Sequence, residues 1–120
     1  MNYFSERLLS FRHAFRGLHV LFVREPNAWL HLLATIGVSV LGYCYSLSPN
    51  EWIAIVLCVA IVFALELLNS SIEVLCDTLH PKRHPGIKRT KDLAAAAVLI
   101  GAIGALLVAC FIFIPKIIAQ

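Results

Sequence analysis

Charged residues are scarce in this 120-residue chain, and two common nucleotide-binding motifs are missing. Asp, Glu, Lys and Arg make up 14% of the sequence, against about 25% in soluble globular domains. There is no G-x-x-x-x-G-K-[ST] or G-x-G-x-x-G segment, which excludes the conventional nucleotide-binding folds. The four cysteines include no C-x-x-C pair, so we interpret them as packing residues and not as disulfides or metal ligands.

Long apolar segments take up most of the chain, which is 60% hydrophobic. Three of them, at about residues 28–47, 52–76 and 93–114, approach or exceed the roughly 20 residues that a helix needs to cross a bilayer. The third contains no charged residue, and the first contains only His31 as an ionisable group besides Tyr and Cys. The sequence therefore predicts an all-α membrane protein that forms one domain over residues 1–120.

The segment before the first span has a different pattern. In residues 3–24, apolar side chains recur at spacings of three and four, with arginines in the turns between them. This periodicity predicts an amphipathic helix on the membrane surface, with its aromatic rings at the acyl boundary. A plain membrane anchor is the simplest function for such a helix. The apolar residues are Phe4, Leu8, Phe11, Phe15, Leu18 and Phe22.

Positive charge is concentrated on one side of the predicted membrane. Nine of the ten Lys and Arg residues precede the first span or lie between the second and third. The positive-inside rule makes that side cytoplasmic, so the N-terminus and the loop at residues 77–92 are predicted to lie in the cytoplasm. Nucleic acid is not an expected partner because these cations flank membrane spans; anionic lipid headgroups or a phosphorylated ligand fit better.

The loop at residues 77–92 carries five cations and two histidines. Lys91 and Asp92 are predicted to open the third long helix, where backbone N–H groups favour an anion. A purely topological origin of the positive charge is the alternative. His80 and His84 are four residues apart, but without a third ligand nearby a metal site is disfavoured.

Small residues repeat every four positions in the third span. Such a stripe allows helices to approach closely in lipid, where packing drives association. The sequence therefore predicts tight helix contacts, either within the chain or between copies. The stripe consists of Ala97, Gly101, Ala105 and Ala109.

Glu66 stands directly after thirteen unbroken apolar residues, Ile53 to Leu65. An acid at membrane depth costs several kcal/mol unless it is paired, neutralised or facing a polar cavity, which indicates a function. It begins a polar stripe on one helix face, running from mid-membrane to the cytoplasmic edge. Glu66 and Glu73 are about 10–11 Å apart along the axis, too far to share one ion symmetrically, so they are predicted to differ in role. The stripe consists of Glu66, Asn69, Ser70, Glu73 and Asp77.

Two classes of function compete on these residues. One is an enzyme on a membrane-embedded substrate, with Glu66 as base and with metal and phosphate bound at Glu73 and the basic loop. The other is a small proton or ion conductor in which Glu66 and Glu73 form a relay. The dense cytoplasmic cations favour the enzyme, and neither the first nor the third span provides a second acid for a relay. A catalytically inactive structural subunit is a third possibility.

Two blocks carry a resemblance to a known family. They are Glu66-Leu-Leu-Asn69-Ser70-Ser-Ile-Glu73 and Lys91-Asp92-Leu-Ala-Ala-Ala-Ala-Val-Leu-Ile. Together they resemble the small integral-membrane lipid kinases of bacteria, which comprise diacylglycerol kinase and undecaprenol kinase. The resemblance implies a homotrimer in the bacterial inner membrane, with sites between subunits. It also implies that ATP with Mg²⁺ phosphorylates a lipid hydroxyl.

The same resemblance implies individual roles. Glu66 matches the catalytic base that takes the proton of the lipid hydroxyl. Glu25 and Glu73 match the carboxylates that bind magnesium on the ATP phosphates, and Asn69 lines the same site. The residues that the resemblance assigns to ATP binding are His13, Glu25, Glu73, Lys82, Arg83, His84, Lys91 and Asp92.

The segments Ser10–Gly17 and Glu25–His31 look more like the undecaprenol branch, whose pattern is roughly E-x-N-F-x-x-H. The diacylglycerol branch tends to have an acid where His31 stands. Trp29 and Leu30 depart from both patterns. The resemblance therefore favours undecaprenol as the lipid, with diacylglycerol as the alternative.

Overall fold

The described part of the chain folds into four α-helices joined by short connections. A computed structural model describes residues 2–120, in which there is no β-strand. The helices are α1 (Tyr3–Arg24), α2 (Pro26–Cys44), α3 (Pro49–Leu79) and α4 (Pro85–Ile118). The last three are long and apolar enough to cross a membrane. The prediction of an all-α protein with three such helices is confirmed.

A sharp corner separates α1 from α2. Glu25 has an extended backbone there, and Pro26 occupies the first turn of α2, where its missing N–H costs nothing. The Trp29 indole N–H donates to the Phe22 carbonyl oxygen at 2.8 Å, and the two rings meet edge to face. Trp29, which departs from both patterns of the family that the sequence resembles, thus fixes the angle between the helices and holds Glu25 at their junction.

The rest of α1 makes few contacts within the chain. Its last turn is anchored by the buried Leu21, whereas its apolar stripe, including Phe4, Leu8, Phe11 and Phe15, is exposed. The helix itself lies where the periodicity places it. Its position on a membrane surface stays a prediction.

The turn after α2 begins earlier than the predicted span of residues 28–47 suggests, because α2 ends at Cys44. Ser46 adopts a left-handed backbone with φ of 54°. Its N–H donates to the Tyr43 carbonyl oxygen at 3.3 Å, and the Leu47 N–H donates to that of Gly42 at 3.1 Å. These are the two hydrogen bonds of a Schellman motif, which satisfies the last carbonyl groups of a helix.

α3 starts immediately after this turn with a capping box. The Glu51 N–H donates to the Ser48 hydroxyl, and the Ser48 N–H donates to the Glu51 carboxylate. The helices approach closely here: a Cβ placed on Gly42 would lie 2.6 Å from the Trp52 ring and 2.9 Å from Leu47. α2 and α3 are therefore joined at one end by a contact that only glycine allows.

α3 and α4 have the most extensive contact between any two helices of the described chain. A Cβ on Gly101 would lie 2.5 Å from Leu65, and Ala94 is buried in the same interface. Part of the small-residue stripe thus serves packing within the chain. Ala97 of that stripe is exposed.

α4 begins at Pro85, six residues before Lys91, so the prediction that Lys91 and Asp92 open this helix is wrong. The N-cap is His84, whose Nδ1 accepts the Gly86 N–H at 2.9 Å. Basic residues are good helix formers, and their charge alone does not end a helix. Because α4 has 34 residues, it is about 51 Å long and extends well beyond a hydrocarbon layer of about 30 Å.

Candidate active site

Glu66 lies buried on α3 with a partner on α2. The residue is 2% exposed, and its Oε1 atom is 2.9 Å from Nε2 of His31. A buried carboxylate needs a hydrogen-bond partner because its desolvation is otherwise too costly. His31 was not among the predicted site residues. The sequence does contain a signal for this residue, since His31 is the only ionisable side chain besides Tyr and Cys in the first predicted span.

An apolar cavity of about 280 Å³ begins at His31. Residues of α2, α3 and α4 line it, and almost all of them are aliphatic or aromatic. On α3 the lining extends from Phe63 to Ile55, about 12 Å along the helix axis. The His31 ring faces this cavity and also holds Glu66, so the buried pair lies where hydrocarbon surface meets polar surface.

A polar cluster gathers one to two turns further along α3, at the α1–α2 corner. The Ser70 hydroxyl donates to Glu25 Oε1 at 3.4 Å, and Asn69 Nδ2 donates to Glu73 Oε1 at 3.5 Å. A guanidinium nitrogen of Arg24 is 4.0 Å from Glu73 Oε2. The carboxyl groups of Glu25 and Glu73 are close enough to interact. Folding thus brings together the two carboxylates that were predicted as metal ligands.

The donor atoms of this cluster fit a magnesium ion. Asn69 Oδ1 is buried and has no hydrogen-bond partner in the described chain. It adds a third oxygen to the two carboxylates, and oxygen is the donor that Mg²⁺ prefers. Within residues 2–120 no group of three His, Cys, Asp or Glu side chains could hold a metal alone. The arrangement therefore suits an ion that takes its remaining ligands from water or phosphate, as Mg²⁺ usually does.

A basic pocket of about 710 Å³ lies between the end of α3 and the start of α4. Lys91 Nζ is 2.6 Å from Asp77 Oδ1, and Lys88 Nζ is 2.7 Å from Asp92 Oδ2. The pocket is lined by five of the residues predicted to bind ATP, namely Lys82, Arg83, His84, Lys91 and Asp92. The structure brings these five together although the helix start was misplaced.

His13 is the one predicted ATP contact that the fold leaves apart. It is exposed on α1 and lines neither the apolar cavity nor the basic pocket. Its role stays a prediction. Arg24, in contrast, was not predicted and lies beside Glu73.

The buried Glu66–His31 pair, the polar cluster and the basic pocket follow one another along α3. They are marked by Glu66, Glu73 and Asp77.

A sequence model of the family described as prokaryotic diacylglycerol kinase matches residues 12–113. The chain belongs to this family. The predicted resemblance and the predicted enzyme class, a membrane lipid kinase, are thereby confirmed.

Individual relatives cover nearly the whole chain. An undecaprenol kinase of Bacillus subtilis (strain 168) is 39% identical over 108 residues, which cover 90% of this chain and 88% of the relative. A diacylglycerol kinase of Synechocystis is 31% identical over 93% of this chain and 65% of its own length. A diacylglycerol kinase of Escherichia coli (strain K12) is 26% identical over 83% of this chain and 82% of its own length.

Proposed function

We propose that this protein transfers the γ-phosphoryl group of ATP to the hydroxyl of a membrane lipid alcohol, with Mg²⁺ as cofactor. The observation that carries the proposal is the position of Glu66. Its carboxylate lies between an apolar cavity, suited to a hydrocarbon chain, and a cluster of oxygen ligands, suited to a metal-bound phosphate. A lipid kinase must join these two kinds of surface at one point.

In this proposal Glu66 is the general base. The lipid hydroxyl oxygen forms a bond to the γ-phosphorus, the bond to the bridging oxygen of ADP breaks, and the hydroxyl proton passes to the Glu66 carboxylate. ADP leaves with the electron pair of the broken bond. Most of the rate enhancement in such a transfer comes from positioning and electrostatic stabilisation.

Glu25, Glu73 and Asn69 would hold the magnesium ion at the α1–α2 corner. When bound, the ion neutralises charge on the phosphate oxygens. Arg24 adds a positive charge next to Glu73. Together these groups would hold the phosphates of ATP so that the γ-phosphate extends from the corner toward Glu66 and the lipid hydroxyl.

The basic pocket would receive the rest of the nucleotide. Lysine and arginine bind phosphate through charge-assisted hydrogen bonds, which are about twice as strong as neutral ones. Lys91 is paired with Asp77, and this exposed pair is weak enough to be exchanged for a phosphate. Lys82, Arg83 and His84 would lie on the adenine side, and Asp92 beside Lys91. His13 would complete the site from α1.

Undecaprenol is the favoured lipid. The pattern of Glu25–His31 is closer to that branch, and the Bacillus subtilis relative at 39% identity is named an undecaprenol kinase. Diacylglycerol is the alternative, since the two other relatives carry that name. The cytoplasmic side of the inner membrane is proposed as the site of reaction, because the positively charged N-terminal segment and the loop at residues 77–92 mark that side.

A homotrimer is proposed as the working assembly. Many large apolar side chains on α2, α3 and α4 are exposed in the single chain, and lipid or neighbouring copies must cover them. α1 would lie along the cytoplasmic membrane surface, with its phenylalanine rings in the acyl boundary.

The decisive experiment is a side-by-side phosphorylation assay. Purified full-length protein in lipid vesicles receives radiolabelled ATP, Mg²⁺ and either undecaprenol or diacylglycerol. Faster labelling of undecaprenol is expected, and omission of Mg²⁺ should abolish it. If diacylglycerol is labelled faster, the lipid assignment is wrong. If neither lipid is labelled and the vesicles lose a proton gradient without ATP, the conductor hypothesis replaces the kinase; if neither event occurs, the chain is a structural subunit.

A further inference from the structure

We infer that His31 is a positioning residue that holds Glu66 in the orientation needed to take the proton of the lipid hydroxyl. The inference rests on the proposed function, in which Glu66 is the base. The proposed mechanism assigns His31 no step of its own. The starting point is the single hydrogen bond that connects α2 to the buried carboxylate.

The hydrogen bond links two side chains that come from different helices. Glu66 is 2% exposed and His31 lies opposite it, with Nε2 of the ring 2.9 Å from Oε1 of the carboxylate. In the proposed mechanism Glu66 is the base and therefore ionised; an ionised carboxylate only accepts hydrogen bonds, so His31 donates from Nε2.

The geometry leaves the reactive part of the carboxylate available. His31 engages Oε1, so the other oxygen, Oε2, can accept the hydroxyl proton without losing this contact. A base that is oriented by a second group is a recurring arrangement in enzymes. Such an arrangement matters because a misplacement of about 1 Å can reduce turnover by about 100-fold.

His31 is itself held in place. Its ring lies edge to face with Phe63 at 6.3 Å between centroids. The Thr35 hydroxyl donates to the His31 carbonyl oxygen at 2.7 Å, which ties the backbone of this turn of α2. The ring also lines the apolar cavity. The hydroxyl of a lipid whose chain occupies that cavity would therefore lie next to His31 and the proton-accepting oxygen of Glu66.

The test compares three substitutions of His31 in the full-length protein, assayed with undecaprenol, ATP and Mg²⁺. The side-chain nitrogen of glutamine can reach the position of Nε2, whereas that of asparagine reaches only as far as Nδ1. His31→Gln should keep most of the turnover. His31→Asn and His31→Leu should lower kcat by about 10- to 100-fold, and the KM for ATP should stay near that of the unmodified protein.

Controls separate this role from a structural one. Ser39→Ala on the same helix removes a hydroxyl that bonds only to the Thr35 backbone, and should leave kcat unchanged. In a Glu66→Gln background, His31→Asn should cause no further loss, because the group that it orients is already inactive. An additional loss of similar size would show that His31 acts independently of Glu66.

The possible outcomes separate a failure of the positioning role from a failure of the proposed kinase function. If the unmodified protein labels no lipid, the proposed function fails. If it is active and His31→Gln and His31→Asn have equal kcat, the positioning role is overturned while the kinase stands. If His31→Leu does not fold, the Gln and Asn variants decide the matter, since both retain an amide of similar polarity.

Discussion

Two carboxylates on α3, Glu66 and Glu73, lie seven residues apart in very different surroundings. Glu66 is enclosed, with an imidazole as its partner and hydrocarbon on one side. The Glu73 side chain is 31% exposed and lies among an arginine, an amide and a second carboxylate. A buried acid with one partner is suited to accepting a proton, whereas a carboxylate among charged groups is suited to holding a cation. The same residue type thus acquires two roles from its surroundings.

Replacing the deep carboxylate should have the largest effect. Glu66→Gln keeps the size of the side chain but removes the group that accepts the hydroxyl proton. We expect kcat to fall by about 100- to 10,000-fold. ATP affinity, measured by equilibrium binding to the same preparation, should be unchanged. Loss of nucleotide binding together with retained turnover would reverse the roles given to the two carboxylates.

Replacing the shallow carboxylates should change the magnesium requirement. For Glu73→Gln or Glu25→Gln, the Mg²⁺ concentration for half-maximal rate should rise by about 10- to 100-fold. The measurement is a magnesium titration of the phosphorylation rate at saturating ATP. Glu6→Gln, an exposed acid in the first turn of α1, is the matched control and should behave as the unmodified protein does. An unchanged magnesium dependence in both variants would show that Glu25 and Glu73 do not bind the metal.

A smaller effect is expected in the basic pocket. Lys91→Met should raise the KM for ATP about 10-fold, because one charge-assisted contact to phosphate is lost. The kcat value should change little. Lys116→Met provides the control: Lys116 is paired with Glu51 at 3.2 Å near the opposite end of α4, far from the pocket. Equal KM values for the two variants would exclude Lys91 from nucleotide binding.

The smallest effect is expected where α2 meets α3, at a distance from both carboxylates. Gly42→Ala places a Cβ against the Trp52 ring and should lower the free energy of unfolding by about 1–3 kcal/mol. Gly104→Ala meets no atom within 4 Å and should be neutral or slightly stabilising. Thermal unfolding in detergent, followed by circular dichroism, compares the two. Equal melting temperatures would show that this contact does not fix the position of α2.

The sequence was most informative where periodicity and composition act over many residues. The three long apolar helices, α1 and the polar stripe of α3 all follow from spacing along one helix. The predicted ends were less accurate. Lys91 lies inside α4 because Pro85 and the His84 cap start the helix earlier, and α2 stops at Cys44 because Ser46 adopts a left-handed backbone. Such ends depend on local hydrogen bonds that composition does not reveal.

By itself, the sequence determined that this chain has three helices apolar enough to cross a membrane, that its cations cluster in two segments, and that acids occupy one face of a long helix. Those properties depend on residue type and on a fixed helical repeat. The tertiary structure decided which acids have which neighbours. Glu25 meets Glu73, and His31 meets Glu66, because the α1–α2 corner and the α2–α3 turn return the chain alongside α3. Contacts between distant residues depend on how helices pack, and helical periodicity carries no information about that.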